Sequence, residues 1–253
     1  MNKIIYDYLI VGLGGLMTYF GKPDLGQEAL SDHASVALPD YLRQTYSWAY
    51  LNPKTVPWLS SQPVVEAILW GNASRLIKKT VDEIEQGQTV LQAAAVYGRF
   101  STELAKKIGP TGSLDVIDVA PIQVETAKKR VEDYSNAHVM IADATIARPQ
   151  QYDTVICFFL LHEVPEDVKS KIVSAMLASA KPGGKIVFVD YHKPSKYHPL
   201  KFIMSKIFDW LEPFAKGLWE KEIKDYYLVT HGFSWKKETL FGGLYQKIVV
   251  FKD

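Results

Sequence analysis

The sequence predicts an α/β protein built on a doubly wound, mostly parallel sheet closed by an antiparallel hairpin. Three observations carry this. From Thr89 onward, short apolar runs alternate with amphipathic ones. Two of the apolar runs lead into an acid, Asp118 and Asp143. The last two, 233–240 and 245–251, flank Phe241-Gly242-Gly243, a turn sequence between two strands. Repeated strand–helix order with short links gives a parallel sheet wrapped on both faces.

The elements follow in order. Residues 89–95 are the first strand, and Ser101 opens a helix over 101–108 with Glu103 in its first turn. Residues 113–118 are the second strand, and Pro121 starts a helix over 121–134. Residues 138–142 form the third strand. Residues 153–161, almost wholly apolar, form a fourth that is covered on both faces. A helix over 165–180 stops at Lys181-Pro182-Gly183-Gly184, and 185–191 is the fifth strand. Amphipathic helices over 197–227 form an insertion of about 195–230 before the closing hairpin, with lysines beside Phe202, Trp210 and Trp219. Ahead of Thr89, residues 22–88 read as helices and loops dense in aromatics, a lid over the next domain. One amphipathic helix there spans 73–86. The expected division is 1–88 for the lid or membrane contact and 89–253 for the sheet domain.

Composition narrows the class. The chain has 253 residues, 47% hydrophobic and 23% charged, with net charge +1, which excludes a disordered or collagen-like chain and argues against a dedicated nucleic-acid binder. The single cysteine, Cys157, excludes an internal disulfide and a cysteine-cluster zinc site. No run reaches the roughly 18 apolar residues of a spanning helix. Residues 4–20 come closest and read as mature chain, packed on the domain or resting on a membrane. Gly12-x-Gly14-Gly15 in that stretch imitates a dinucleotide fingerprint, but Met17 stands where the third glycine belongs.

The order Val90-Leu91-Gln92-Ala93-Ala94-Ala95-Val96-Tyr97-Gly98, then Asp118, Asp143 and Lys181-Pro182-Gly183-Gly184, resembles the Rossmann-like class I S-adenosylmethionine-dependent methyltransferases. A closer likeness runs from about Asp40 to the end. Residues 91–98, 114–123, Cys157-Phe158-Phe159-Leu160-Leu161-His162-Glu163-Val164-Pro165, 188–192 and 241–247 are similar to the rhodoquinone biosynthesis protein family (RquA). That resemblance implies conversion of ubiquinone to rhodoquinone, an amino group replacing a ring methoxy. S-adenosylmethionine would be the amino donor, with manganese assisting. Ubiquinone, the implied lipid substrate, lives in the bilayer, so the expected place is peripheral, at the cytoplasmic face of the inner membrane in a bacterium or mitochondrial in a eukaryote, and no obligatory protein partner is evident.

In methyltransferases of this fold the first strand ends in an acid that holds the cofactor's α-ammonium, followed by a glycine-rich turn. Here Gln92 takes the acid's place, Ala94 and Val96 replace glycines, Tyr97 adds bulk and Gly98 remains. These residues, with Asp118, Val119, Asp143 and Ala144, are the expected cofactor contacts. A carboxylate would stabilise the ammonium, and a free α-amine titrates near roughly 7.7–8. A neutral Gln92 therefore suits a nucleophilic amine, and hence amino transfer. Strand ends four and five bring a second group together. His162, Asp190 and His192 are candidate catalytic residues, and Asp143, His162 and Glu163 are candidate ligands of a divalent metal such as manganese. Tyr191, His198 and Tyr245 are candidate substrate contacts. An ordinary quinone or lipid methyltransferase and a non-catalytic lipid- or partner-binding subunit are the competing readings.

Overall fold

The computed structural model describes residues 38–229 and 231–253. Residues 4–20 and the Gly12-x-Gly14-Gly15 motif lie outside them. Short helices lead in: α1 (Asp40–Thr45), a π-helical turn (Ser47–Leu51), α2 (Thr55–Leu59), α3 (Gln62–Ile68) and α4 (Ala73–Val81). The wound part follows as β1 (Thr89–Ala93), α5 (Phe100–Ile108), β2 (Ser113–Asp118), α6 (Pro121–Arg130), β3 (Ala137–Ile141) and β4 (Tyr152–Phe158). A 3-10 turn (Leu161–Glu163), α7 (Glu166–Ser179) and β5 (Ala180–Tyr191) complete it. The insertion holds α8 (Lys201–Trp210), α9 (Gly217–Glu220) and a 3-10 turn (Ile223–Tyr226), and β6 (Phe233–Leu240) and β7 (Tyr245–Lys252) close the sheet.

The strands form one seven-stranded sheet in the order β3-β2-β1-β4-β5-β7-β6. β1 to β5 run parallel, while β7 is antiparallel to both β5 and β6. The strand order reverses between β1 and β4, so their carboxyl ends open a crevice there. β4 is buried along almost its whole length, as its unbroken apolar run requires.

Three expectations need correction. Lys181-Pro182-Gly183-Gly184 does not merely stop a helix. It lies inside β5, where the pairing with β4 jumps from Tyr152–Ala180 to Thr154–Lys185, a bulge with Gly183 at φ +74°. The helices expected over 73–86 and 121–134 end early, at Val81 and Arg130, where turns bring Ile84 and Val131 into the core instead. The division at residue 88 is not a division of cores. Leu69, Leu76, Ile77 and Ile84 pack in one cluster with Val90, Phe100, Leu104 and Val187. These side chains leave water together, at about 25 cal/mol per Å² of apolar surface.

Candidate active site

A cavity of about 540 Å³ opens at the crevice. Its sheet-side wall contains Ala94, Val96, Tyr97, Asp118, Val119, Asp143 and Ala144. Ala94 holds φ +69°, the left-handed turn that a glycine adopts more readily, and so bends the chain sharply at the end of β1. Asp118, at the end of β2, accepts the Ala95 N–H at 2.9 Å and the Ala120 N–H at 2.8 Å. Burial pushes its carboxyl up to about 6, against the pull of these amides. Asp143 accepts the backbone N–H and the hydroxyl of Thr145, both at 2.8 Å.

Two of the expected cofactor contacts do not line the cavity. Gln92 is fully buried behind the loop, its Nε2 donating to the Ala94 carbonyl at 2.9 Å and its Oε1 left without a partner. The loop after β1 takes up this side chain through the Ala94 carbonyl. Gly98 faces the leading helices instead: its N–H donates to the Ser60 carbonyl, and a Cβ there would stand 2.5 Å from Gln62 Oε1.

Tyr97 joins the loop to the helices above it. Its hydroxyl donates to the Ala49 carbonyl at 2.5 Å and accepts from Gln123 Nε2 at 2.9 Å, and its ring stacks on Tyr50 with centroids 5.5 Å apart.

Opposite lies an acidic pocket. Asp190 caps the 3-10 turn, accepting from the Leu161 and His162 amides at 2.9 and 3.3 Å, and pairs with His162 Nδ1 at 2.9 Å. His162 Nε2 is thereby turned toward Glu163, 3.7 Å away, and Tyr50 donates its hydroxyl to Glu163. Burial lowers the His162 pKa, but the Asp190 charge and hydrogen bond outweigh it and lift the imidazole to about 9. Burial holds Glu163 well above the usual carboxylate range, partly offset by the His162 charge. Tyr191 lines the same space, its ring 4.9 Å from that of His162.

The other expected residues fall elsewhere. His192 donates from Nδ1 to the Gly243 carbonyl and accepts from Lys237 at Nε2, both at 2.8 Å, because the 241–244 turn folds over the end of β5 and claims it. His198 packs on Phe241, 5.1 Å between centroids. Tyr245 is fully buried, its hydroxyl donating to the Leu69 carbonyl at 3.0 Å. The metal set also separates. Asp143 is tied to Thr145 and His162 to Asp190, and among the described residues no group of three His, Cys, Asp or Glu is placed to hold a metal ion. The described residues therefore do not form a site that fits manganese.

No motif points to Glu212, which lines the cavity from the segment after α8. The one hint is an acid set between apolar Leu211 and Pro213. Met204, Ile207 and Leu211 from the insertion, with Trp48, Trp58 and Ile68 from the leading helices, make the remaining wall apolar.

Comparison with known proteins agrees with this geometry. Residues 90–184 match the family model described as a methyltransferase domain. The ubiquinone/menaquinone biosynthesis C-methyltransferase UbiE of Pseudomonas fluorescens is 28% identical over 150 residues, 56% of each chain. The demethylmenaquinone methyltransferase of Oceanobacillus iheyensis is 26% identical over 167 residues, 57% of this chain and 69% of that one. The chain thus spans little more than half the length of the Pseudomonas relative. A SAM-dependent methyltransferase from Aquifex aeolicus superposes with a TM-score of 0.52 at 18% identity, covering 80% of this chain and 99% of that one. Human N-acetylserotonin methyltransferase, solved in complex with SAM, gives 0.56 at 15% identity, covering 85% and 60%. Sheet order, crevice and matches together establish a Rossmann-like methyltransferase fold, with the methyltransferase-domain match confined to residues 90–184.

Proposed function

We propose that this chain is an S-adenosylmethionine-dependent transferase acting on the ring of a lipid quinone. The observation that carries the reading is the continuity of one cavity. It joins the wall formed by Ala94, Asp118 and Asp143 to an apolar and acidic chamber formed by Trp48, Ile207, His162 and Glu212. The sheet-side residues fit S-adenosylmethionine. Asp118 stands where ribose hydroxyls need acceptors, and Asp143 with Ala144 borders the place of the adenine edge. When bound, S-adenosylmethionine would supply the transferred group. The apolar chamber suits a quinone ring and the start of its tail, and the quinone C-methyltransferase relatives favour that substrate class.

The finer reading is amination of ubiquinone to rhodoquinone. It is supported by the resemblance to the rhodoquinone family; Gln92, tied to the Ala94 carbonyl behind the loop, does not face the cavity and adds nothing to it. Methyl transfer is the second reading, favoured by the activity named for the relatives. The test uses purified protein, ubiquinone and S-adenosylmethionine labelled separately on the α-nitrogen and the methyl. Nitrogen label in the quinone product supports amination, and methyl label supports methyl transfer. A quinone carrying neither label overturns both. Running the assay with and without manganese after chelation tests the metal requirement that the family resemblance implies.

Such a lipid is met at a bilayer. Trp58 and Ile68 line the cavity and are 48% and 38% exposed, while Phe202 and Trp210 on α8 are 66% and 76% exposed. Among the described residues no helix is long and apolar enough to cross a membrane. The reading is therefore contact with the membrane surface, in a bacterium at the cytoplasmic face of the inner membrane. Flotation with anionic vesicles should carry the protein upward, and less so for the Phe202→Ser, Trp210→Ser protein. A protein that stays at the bottom of the gradient overturns surface contact.

A further inference from the structure

We propose that α2 and α3 form the doorway of the cavity, through which the isoprenoid tail of the substrate runs out into lipid. The inference rests on the lipid-quinone reading and adds to it the site that recognises the tail. Size sets the first condition. The cavity of about 540 Å³ lies within the roughly 300–1,000 Å³ that encloses one drug-sized ligand. S-adenosylmethionine and a quinone ring fill such a space between them, so a long tail has to leave it. The exposed part of the lining shows where. Among the described residues, the cavity-lining side chains open to solvent are Trp58, Pro63, Ala67 and Ile68, all apolar and all on α2 or α3. The polar lining lies deeper, and none of Asp118, Asp143, His162, Glu163 and Glu212 is exposed. An apolar rim gains nothing from a water-borne substrate and gains from an apolar chain laid across it.

The helix α3 is also built the reverse way for a helix that faces water. An ordinary surface helix buries its apolar stripe and shows its polar one. In α3 the polar side chains, Gln62 and Glu66, stand one turn apart and are tied to the protein. Gln62 Oε1 accepts the Arg99 N–H at 2.9 Å, and Glu66 accepts the Ser74 N–H at 2.8 Å. The other five residues are apolar, and none of the seven is buried. Val65 leans on the core, while Pro63, Val64, Ala67 and Ile68 line the cavity. The polar side is thus the anchor, and the apolar side is at once the cavity's edge and an outer surface. The chain that crosses such an edge is the one already held inside, the substrate's own tail, with bilayer acyl chains beyond it. Isoprene units next to the ring then touch the rim, and those further out do not. The protein therefore distinguishes tailed from tailless quinones and ignores the length of a long tail.

The test is binding of ubiquinone analogues with no isoprene unit, one, two and three, followed by quenching of tryptophan fluorescence. S-adenosylmethionine affinity is measured in parallel. Wild type should gain about tenfold from no unit to two, and less than about twofold from the third. Ala67→Glu sets a charge on the rim and should cut the tenfold preference to about twofold. Ala67→Leu adds bulk without charge and should keep the preference at about tenfold. The preference is a ratio within one protein, so partial misfolding of a variant does not imitate its loss. Wild-type protein with no preference for a tail overturns the doorway. So does affinity that climbs equally with every unit, the mark of an enclosed tail. A preference that survives Ala67→Glu means that the tail leaves elsewhere and that another chain, such as the apolar residues 4–20, covers α3; it overturns the proposal, as does an equal loss in Ala67→Leu. Wild-type protein that binds S-adenosylmethionine but no quinone of any tail overturns the substrate reading itself, and this inference with it.

Discussion

On the sheet side of the cavity the polar side chains are tied to the backbone. Asp118 holds two amides and Asp143 holds Thr145, each within 2.9 Å. On the helical side the pairing is looser: the Tyr46 hydroxyl faces the Glu212 carboxyl, and Trp48 Nε1 is buried without a partner. The first wall is complete without a ligand and serves as a template. The second leaves the Trp48 indole N–H unsatisfied on a residue of the cavity wall. Between them Asp190 belongs to the first type, since four donors converge on it, although it supports His162 in the second.

The largest effect is expected at Asp190, where four donors meet. Asp190→Ala leaves the Leu161 and His162 amides buried without their acceptor and His162 without its counter-charge. We expect a loss of about 3–5 kcal/mol in unfolding free energy, read from the urea midpoint. A loss below 1 kcal/mol would show that the turn is held by packing alone.

On the sheet side the next largest effect is expected at Gln92. Its amide donates to the Ala94 carbonyl from a fully buried position. Gln92→Glu would set a carboxylate against that carbonyl, so the variant should lose about 1–3 kcal/mol of stability at neutral pH. Acidification that protonates the new side chain should recover part of it. If the variant is as stable as wild type and binds S-adenosylmethionine more tightly, the side chain faces the cofactor's amine rather than the loop.

These positions also mark how far the sequence could be read. Strands Ser113–Asp118 and Phe233–Leu240 match their expected bounds, because apolar alternation and terminal turns are local signals. Strand ends then locate Asp118, Asp143, His162 and Asp190 in one crevice, since the topology alone delivers them there. Sidedness was not legible. Whether Gln92 faced the cavity depended on the loop after β1, and whether His192 joined Asp190 depended on the 241–244 turn folding back over β5. Glu212 was least legible, because the path of the insertion is set by tertiary contacts such as Lys169 Nζ donating to the Phe214 carbonyl at 2.7 Å. No periodicity in the sequence encodes that contact.

A pH series probes the acidic pocket as a whole. His162 titrates at about 9 in the folded protein against 6.5 for the free side chain. The folded state therefore holds more protons than the unfolded state between these values. The stability this contributes is fully present below about pH 6.5 and is lost as pH rises toward 9, with a slope of at most about 1.4 kcal/mol per pH unit. Raised carboxyls such as Glu163 push in the same direction. Urea midpoints measured from pH 6 to 9 should fall, and His162→Gln should flatten the fall. A wild-type midpoint that climbs over this range would mean that the imidazole is neutral in the folded protein.

The smallest expected effect has the opposite sign and lies at the loop where the template begins. Ala94 sits at φ +69°, a backbone conformation that costs an L-residue with a Cβ roughly 1 kcal/mol and glycine almost nothing. Glycine also has more freedom to lose on folding, which offsets part of the relief. Ala94→Gly should therefore stabilise the fold by about 0.5–1 kcal/mol, seen as a small rise in thermal midpoint. The hydrogen bond from Gln92 ends on the backbone carbonyl of residue 94, so it survives the substitution. The Ala94 side chain lines the cavity, and removing it widens the sheet-side wall without touching the acidic pocket. Quinone affinity should then change by less than about twofold while S-adenosylmethionine affinity is the quantity that moves. A destabilised Ala94→Gly protein, or one whose quinone affinity changes more than its S-adenosylmethionine affinity, would show that the two walls are not the independent structures their hydrogen bonding describes.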